Sequence, residues 1–248
     1  MRWIFLASML TSWASGAAGG ALDLPWWFDV ESGAVFATRN DVRIPGDEGT
    51  DISLTDELSA DETAFLRLRA GRTLGERGSL SVLYAPLRIE SRGSVDHAVR
   101  FHDVVFPPET DLEARYRFDS YRLTYRYDFV RRKALHFGAG LTAKVRDAAI
   151  RLDGGGLSSE KANTGVVPLV NFRAVCWLPG RWSLLLDGDA LAAPQGRAED
   201  VQLAVARDFG RATTIRAGYR ILEGGADNDE VYNFALIHYA ALGAAIRF

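Results

Sequence analysis

The chain has 248 residues, of which 48% are hydrophobic, and its formal net charge is −3. This charge gives no reason to expect nucleic acid as a partner, and the single cysteine, Cys176, excludes an internal disulfide. Beyond the N-terminal segment, no run of 18 or more apolar residues predicts a helix that crosses a membrane. A globular protein and a membrane β-barrel both fit these values, because barrel strands alternate and escape hydropathy analysis.

The first 21 residues are typical of a secretory signal peptide. Arg2 supplies a positive charge, residues 3–13 form an apolar core, and small residues follow. Cleavage after Ala21 is favoured, with Ala17 as the alternative. The apolar core is shorter than the roughly 20 residues that a membrane helix needs, and no cysteine follows it to make a lipoprotein. Residues 22–248 are therefore predicted to form a single exported domain.

Alternation with a period of two runs through the mature chain. In residues 120–129, apolar and aromatic side chains occupy the odd positions, while the even positions are polar and include Arg122 and Arg126. A strand places these two sets on opposite faces, whereas a helix would mix them. Residues 135–146 show the same division. Ten strands are predicted in all: 26–38, 63–73, 79–90, 120–129, 135–146, 165–178, 182–192, 200–209, 213–222 and 231–248.

The connections between these strands alternate in length. Long connections on one side and tight turns on the other are typical of outer-membrane barrels, whose turns lie in the periplasm. The sequence therefore predicts an all-β fold, a transmembrane antiparallel up-and-down barrel of about ten strands, with eight or twelve as the alternatives. The long connections are 39–62, 91–112 and 153–164, the intermediate ones are 193–199 and 223–230, and the short ones are 74–78, 130–134, 179–181 and 210–212.

Aromatic residues are predicted to form two belts where the barrel meets water. The distance between these belts fits the 9–11 residues with which a tilted strand spans a membrane. The belt near the short turns contains Trp26, Trp27, Phe28, Tyr127, Phe129, Trp177, Trp182, Phe209 and Phe248. The belt near the long connections contains Phe36, Tyr116, Phe118, Tyr232 and Phe234.

The last predicted strand ends in the sequence AAIRF, with Phe248 as the final residue. This ending resembles the C-terminal signal of bacterial outer-membrane β-barrel proteins, which ends in Phe and is read by the barrel assembly machinery. The resemblance implies a monomeric barrel in the outer membrane of a Gram-negative bacterium, with membrane lipid and the assembly machinery as partners. It also implies that Phe248 is the assembly signal, but it indicates no particular family. A soluble lipocalin-like or sandwich protein, with its apolar face inward, is the alternative.

The polar faces of the strands, if they point inward, give the barrel a charged lumen. An ion-pair ladder that fills a narrow barrel is favoured, and a small anion-selective pore or binding cavity is the alternative. The candidate lumen residues are Arg67, Arg69, Arg122, Arg126, Lys144, Arg146, Arg173, Asp187, Asp189, Arg216 and Arg220. Further acids on the same faces are Asp29, Glu31 and Asp128.

No catalytic residue, metal site or cofactor is predicted. His102 and Asp103 lie in a long outer connection, the height at which the ten-stranded omptin proteases carry their acid and base groups. Adjacent residues of an extended chain point apart, however, and no serine lies in a recognisable nucleophile motif. The acidic stretch 223–230 lacks the spacing of a calcium loop, and the glycines at 154–156 indicate a loop tip.

Three functions remain open at this level. A structural or narrow, porin-like barrel with an arginine-rich lumen is favoured. The alternatives are a binding protein that acts through the outer loops 40–62 or 91–112 and an outer-membrane hydrolase, either omptin-like or lipid-modifying. The substrate, the pore radius and the partner of the loops do not follow from the sequence.

Overall fold

The computed structural model describes residues 25–193 and 196–248, and its regular structure is almost entirely β-strand. No helix in these two ranges is long and apolar enough to cross a membrane. The predicted signal peptide lies outside the described residues. The strands are β1 (Trp26–Arg43), β2 (Ile52–Ser53), β3 (Ser59–Ala60), β4 (Thr63–Leu74), β5 (Gly78–Ala85), β6 (Arg88–Ser94), β7 (Val99–Phe101), β8 (Val104–Phe106), β9 (Asp111–Arg131), β10 (Leu135–Gly154), β11 (Leu157–Trp177), β12 (Trp182–Ala193), β13 (Gly196–Phe209), β14 (Thr213–Asp227) and β15 (Tyr232–Arg247).

Ten strand positions form one closed antiparallel barrel. Going round it, β1 pairs with β4, β4 with β5, β5 with β9, and β9 to β15 follow in chain order. The pairing of β15 with β1 closes the ring. β5 and β6 share one position, because both pair with β9 on either side of Pro86, which has no N–H to donate. The predicted antiparallel up-and-down barrel of ten strands is therefore confirmed.

The end of the barrel at which β1 begins and β15 ends is its lower end. Above it, the outward faces of the strands carry exposed apolar side chains, here called the apolar belt, such as Leu141 (68% exposed) and Leu242 (66% exposed). The belt covers residues 121–129 on β9 and 135–145 on β10. This height matches the 9–11 residues with which a tilted strand crosses a membrane.

The upper edge of the apolar belt follows the strand register. Tyr121 pairs with Val145, and Val145 pairs with Val166, so the last apolar residues of three strands lie on one rung. Two residues further up, the same outward face is charged, because Asp119 lies opposite Asp147. The outer surface of the barrel therefore changes from apolar to charged at one height.

Not every predicted belt residue lies on the outer face. Tyr116 is 4% exposed and belongs to the interior core, and Phe118 packs against that core. Both are even-numbered residues of β9 and share the inward face with Arg122, so their assignment to the outer belt is wrong. Trp27 and Trp177 also lie on inward faces, since Trp27 covers Gly71 and Trp177 packs edge-on against His136.

The predicted long connection 153–164 is also wrong. β10 and β11 remain paired up to Gly154 and Leu157, and only a tight turn joins them. Gly155 and Gly156 have φ angles of 57° and 78°, which glycine adopts readily in such a turn. The strands therefore continue as a hairpin well above the apolar belt.

The other two long connections close the upper end of the barrel, and their residues 44–62 and 95–106 are here called the plug. Part of the plug continues the barrel wall, because β2 pairs with β1 and β3 pairs with β6. Backbone hydrogen bonds tie the two parts together, from His102 N to the Ile44 oxygen at 2.7 Å and from Thr50 N to the Arg100 oxygen at 2.9 Å. Apolar side chains of this plug pack on inward-facing residues of the strands, and the upper interior is thus an apolar core. The core includes Val35, Val42, Ile44, Ile52, Leu54, Leu58, Ile89, Phe101, Phe106, Leu112, Tyr116, Leu152 and Ile237.

Candidate functional site

A layer of paired charges crosses the barrel interior below the plug. Glu31 on β1 accepts hydrogen bonds from Arg220 Nε at 2.8 Å and from Arg216 Nη2 at 2.8 Å. Gln202 Nε2 donates to the same carboxylate at 2.7 Å, and Arg67 Nε lies 3.8 Å from it. Glu31 is only 1% exposed, so its charge is compensated by these side chains.

Asp200 on β13 is the second centre of the charged layer. It accepts hydrogen bonds from Arg67 Nη2 at 3.0 Å, from Arg122 Nη2 at 2.5 Å and from Arg220. Arg122 also donates to Asp189 Oδ2 at 2.7 Å. The layer therefore links β4, β9, β12, β13 and β14 across the interior.

Neutral polar residues complete the layer. Thr142 Oγ1 donates to Asp189 Oδ1 at 2.6 Å, and Asn171 Nδ2 donates to the same oxygen at 2.9 Å. These two residues, together with Asp200 and Gln202, are not among the predicted lumen residues. The signal was present, since each of the four occupies the inward position of an alternating strand.

Asp187 is held mainly by one arginine. Arg69 Nη1 donates to Asp187 Oδ2 at 2.8 Å, whereas the nearest nitrogen of Arg126 lies 3.8 Å from Asp187 Oδ1. Arg173 faces the same part of the interior, but no described carboxylate lies within ion-pair distance of it. The lower side of the layer thus has more positive than negative groups.

The structure places every predicted lumen residue on an inward face. Lys144 and Arg146 line a cavity above the charged layer, and Lys144 borders that layer because it pairs with Arg122 across the strands. Buried members of the set are Arg67, Arg122, Lys144, Asp187, Asp189, Arg216 and Arg220, and partly buried members are Arg69, Arg126, Arg146 and Arg173.

The charged layer leaves little open space. The void beside Arg67 and Arg122 has a volume of about 10 Å³. One water molecule needs at least about 10–15 Å³, so this void does not admit a hydrated ion. The side chains of the charged layer are therefore closely packed beside this void.

A cavity of about 550 Å³ lies above the charged layer, between β9 to β11 on one side and β12 to β15 on the other. Small-molecule sites in proteins usually measure about 300–1,000 Å³. Its walls are mainly apolar, and the plug residue Ile44 contributes to them. Other apolar lining residues are Ala148, Ile150, Val167, Leu191, Leu222 and Ile237.

Two positive groups in this cavity have no acidic partner among the described residues. Lys144 is 2% exposed, and its Nζ lies 4.6 Å from the centre of the Phe118 ring. Arg146 donates to Asn163 through Nη2, but its buried Nε has no hydrogen-bond partner. The other cations in the lining are paired, because Lys161 Nζ lies 3.6 Å from a Glu230 oxygen and Arg197 donates to Glu223.

The barrel wall is unpaired beside this cavity. β11 and β12 pair up to Val170 and Ala190, and no rung joins these strands above that pair in the described part of the chain. Pro168 lies in the unpaired stretch of β11, where its missing N–H costs no hydrogen bond. Val166 is 72% exposed on the outer face and still lines the cavity. The cavity therefore reaches the outer surface between β11 and β12, at the upper edge of the apolar belt.

Two of the histidines, His102 and His238, lie close to polar side chains. His102 Nδ1 lies 3.2 Å from Asp103 Oδ1, contrary to the expectation that these side chains point apart, because His102 adopts a φ of 52° in the turn between β7 and β8. Ser159 Oγ donates to Asp103 and lowers the pKa of that carboxyl group. The serine thus contacts the acid and not the histidine. His238 lies on the outer face, where Nε2 is 2.6 Å from Thr38 Oγ1.

The acidic stretch 223–230 does not gather its carboxylates at one point. Glu223 and Glu230 instead pair with Arg197 and Lys161. Within the described ranges, no group of three His, Cys, Asp or Glu side chains is placed to hold a metal ion.

No known protein family and no curated protein matches the chain. Solved structures of similar shape include the attachment invasion locus protein Ail of Yersinia pestis, crystallised with the heparin analogue sucrose octasulfate. Ail is 12% identical to this chain with a TM-score of 0.42, and the match covers 90% of this chain and 99% of Ail. The transport unit of the autotransporter AIDA-I from Escherichia coli is 8% identical, with a TM-score of 0.47 and coverage of 92% and 91%. The translocator domain of NalP from Neisseria meningitidis is 13% identical, with a TM-score of 0.42 and coverage of 92% and 90%. Similarity at this level carries no inference about function.

Proposed function

We propose that this protein is an integral barrel of the bacterial outer membrane and that it binds a ligand instead of forming an open pore. The cavity of about 550 Å³, which lies above a filled and salt-bridged interior, is the observation that carries this proposal. The sequence favoured a structural or narrow-pore barrel. We prefer a ligand-binding barrel to an open pore because the plug and the charged layer lie in the path that ions would take.

The membrane location is supported by the outer surface of the barrel. The apolar belt has the height that a bilayer requires, and charged side chains begin above its upper edge at Asp119 and Asp147. Phe248, 61% exposed at the lower end, fits the resemblance to the assembly signal. A soluble barrel would leave this whole belt in water, which proteins of that kind avoid.

Two measurements test the membrane location and the closed interior. The protein is expected to fractionate with outer membranes and to change its gel mobility on boiling, as closed barrels often do. In planar bilayers it is expected to give no stepwise conductance. Recovery from the soluble periplasm would contradict the membrane location, and regular conductance steps would favour the pore over the binding barrel.

The cavity is tested with a neutral apolar probe, the methyl ester of the fluorescent fatty acid cis-parinaric acid. We expect the full-length barrel in lipid nanodiscs to bind the ester and an Ala148→Trp variant, which fills the cavity, to lose most of this binding. Ala143→Trp is the matched control, since Ala143 lies on the exposed outer face of the same strand. Equal binding by both variants would exclude the cavity as the site.

A further inference from the structure

We infer that the cavity binds an amphipathic anion, a long hydrocarbon chain with one acidic headgroup such as a fatty carboxylate, which enters from the membrane between β11 and β12. This inference rests on the ligand-binding function proposed above and adds the chemical class of the ligand and its route.

Lys144 supplies the first argument. A buried ammonium group is costly unless an anion accompanies it, and the other fully buried cations of the barrel satisfy this condition. Arg122, for example, contacts both Asp189 and Asp200. Lys144 is equally buried, at 2% exposure, and faces the cavity with the Phe118 ring as its neighbour. No carboxylate of the described chain lies within ion-pair distance of it, so an anion bound in the cavity would supply the counterion that the chain itself does not.

Arg146 supplies the second argument. It follows Lys144 by two residues on β10, so both side chains are on the same inward face and line the same cavity. Its Nε is buried without a hydrogen-bond partner. Two adjacent cations with unused donors suit one anionic headgroup, which each of them would contact by a charge-assisted hydrogen bond.

The remaining walls suit a hydrocarbon chain. They are mainly aliphatic, from Ile150 and Val167 on one side to Leu191 and Ile237 on the other. A small hydrophilic anion such as phosphate would leave this apolar surface without contacts, and an uncharged hydrocarbon would leave Lys144 without a counterion. An amphipathic anion satisfies both parts of the cavity.

The route follows from the unpaired wall. Val166 and Pro168 line the cavity and lie on the outer face of β11, where no rung of β12 covers them. Val166 shares the top rung of the apolar belt with Val145, and Lys144 and Arg146 flank Val145 on the inner side. The two cations therefore lie at the height of the upper membrane surface, where the headgroup of an amphipathic anion in the bilayer is found. Lateral transfer through the wall would bring this headgroup directly to Lys144 and Arg146.

The headgroup is tested by comparing cis-parinaric acid with its methyl ester in nanodiscs. We expect the wild-type barrel to bind the acid at least about tenfold more tightly than the ester, the difference that a charge-assisted hydrogen bond typically makes. Lys144→Met is expected to weaken this preference, with Arg146 still present, and to keep the affinity for the ester. Lys133→Met, in the turn between β9 and β10 at the lower end, is the matched control and should retain the preference.

Equal affinities of the wild type for acid and ester, or an unchanged preference in Lys144→Met, would overturn the assignment of the headgroup. Binding of the ester alone would do so while leaving the proposed ligand-binding function intact, whereas failure to bind either compound would contradict that function itself. Gel mobility before and after boiling shows whether each variant is folded.

The route is tested by transfer kinetics from vesicles loaded with the acid. Val166→Trp places a large side chain in the unpaired stretch, and we expect it to slow transfer by about tenfold without changing the final affinity. Val170→Trp is the matched control, because Val170 lies on the same face of β11 but is paired with Ala190. Equal rates for Val166→Trp and wild type would overturn entry from the membrane and indicate capture from the aqueous side.

Discussion

Arg220 Nε donates to Glu31 Oε1 at 2.8 Å, and this hydrogen bond joins β14 to β1 through the interior, although β15 separates these strands in the wall. Such contacts brace the barrel from within. Buried ion pairs are costly to desolvate, so their presence is weak evidence for high stability, but removal of one partner leaves an uncompensated charge. The charged layer therefore predicts large effects for single substitutions.

Asp200 is the first test of the layer, since it accepts hydrogen bonds from three arginines. Asp200→Asn is expected to lower the free energy of unfolding by about 3–5 kcal/mol, because the buried guanidinium groups lose their shared counterion. Urea titration in lipid vesicles, followed by tryptophan fluorescence, measures the change. Asp111→Asn, at the exposed upper end of β9, serves as the control and should have almost no effect.

Arg69 and Arg126 are expected to differ in their importance for Asp187. Arg69→Leu leaves Asp187, which is 4% exposed, without its 2.8 Å partner, and should destabilise the barrel by about 3–5 kcal/mol. Arg126→Leu should cost less, because Arg126 lies 3.8 Å from Asp187. Unfolding midpoints of the two variants decide the order. A larger loss for Arg126→Leu would show that Arg126, and not Arg69, is the main counterion of Asp187.

Tyr125 tests the orientation of β9. Tyr125 is 47% exposed on the apolar belt, and Tyr125→Arg is expected to cost about 2–4 kcal/mol, as arginine does near the middle of a bilayer. The same vesicle titration measures this cost. In detergent micelles, where the belt is less strictly apolar, the cost should be smaller. A variant that is as stable as the wild type in vesicles would contradict the belt.

Phe101 tests the plug. It is 2% exposed, and Phe101→Ala is expected to destabilise the upper end by about 3–5 kcal/mol through the cavity that it leaves. Limited proteolysis should then cut within residues 44–62 and 95–106 while the strands of the belt stay intact. Val105→Ala is the control on the same hairpin, since Val105 is 57% exposed. Resistance of Phe101→Ala to proteolysis would argue against a packed plug.

Phe248 is expected to matter for assembly more than for stability. Its deletion removes one exposed side chain, worth roughly 1.5–3 kcal/mol of burial in lipid, but also removes the resemblance to the assembly signal. We expect poor insertion in cells and nearly normal refolding in detergent. Phe209→Ala, another exposed aromatic residue at the lower end, should insert normally. Normal insertion of the deletion variant would refute the role of Phe248.

Strand alternation in the sequence was sufficient to predict the barrel and to orient its faces. The odd residues Tyr121 to Phe129 are outward and Arg122 is inward, because a side chain on the wrong face would meet lipid or the charged interior. The same rule, extended to the residues that precede Ser120 on β9, places Tyr116 and Phe118 inside. Their aromatic character outweighed their parity in the prediction, and this produced the error.

The partners inside the barrel were beyond the reach of the sequence. The pairs Arg67 with Asp200 and Arg122 with Asp189 depend on the stagger of strands round the closed ring, which residue patterns do not encode locally. The packing of the plug was not predicted for a related reason. Ile52 and Phe101 are buried by apolar residues of strands that are distant in the sequence, so their burial is not visible in the local pattern. For the same reason, nothing local distinguished Lys144 as a fully buried cation without a carboxylate partner among the described residues.

The ion pairs of the charged layer also constrain how the chain folds. Arg67 and Asp200 are separated by 133 residues, and Glu31 and Arg220 by 189. Neither pair forms until the last strands have closed on the first, so the charges of the early strands stay hydrated while the ring is open. Closure then removes water from these charges together, and we expect it to be a late and slow step of folding because the contacts that it forms are remote in sequence.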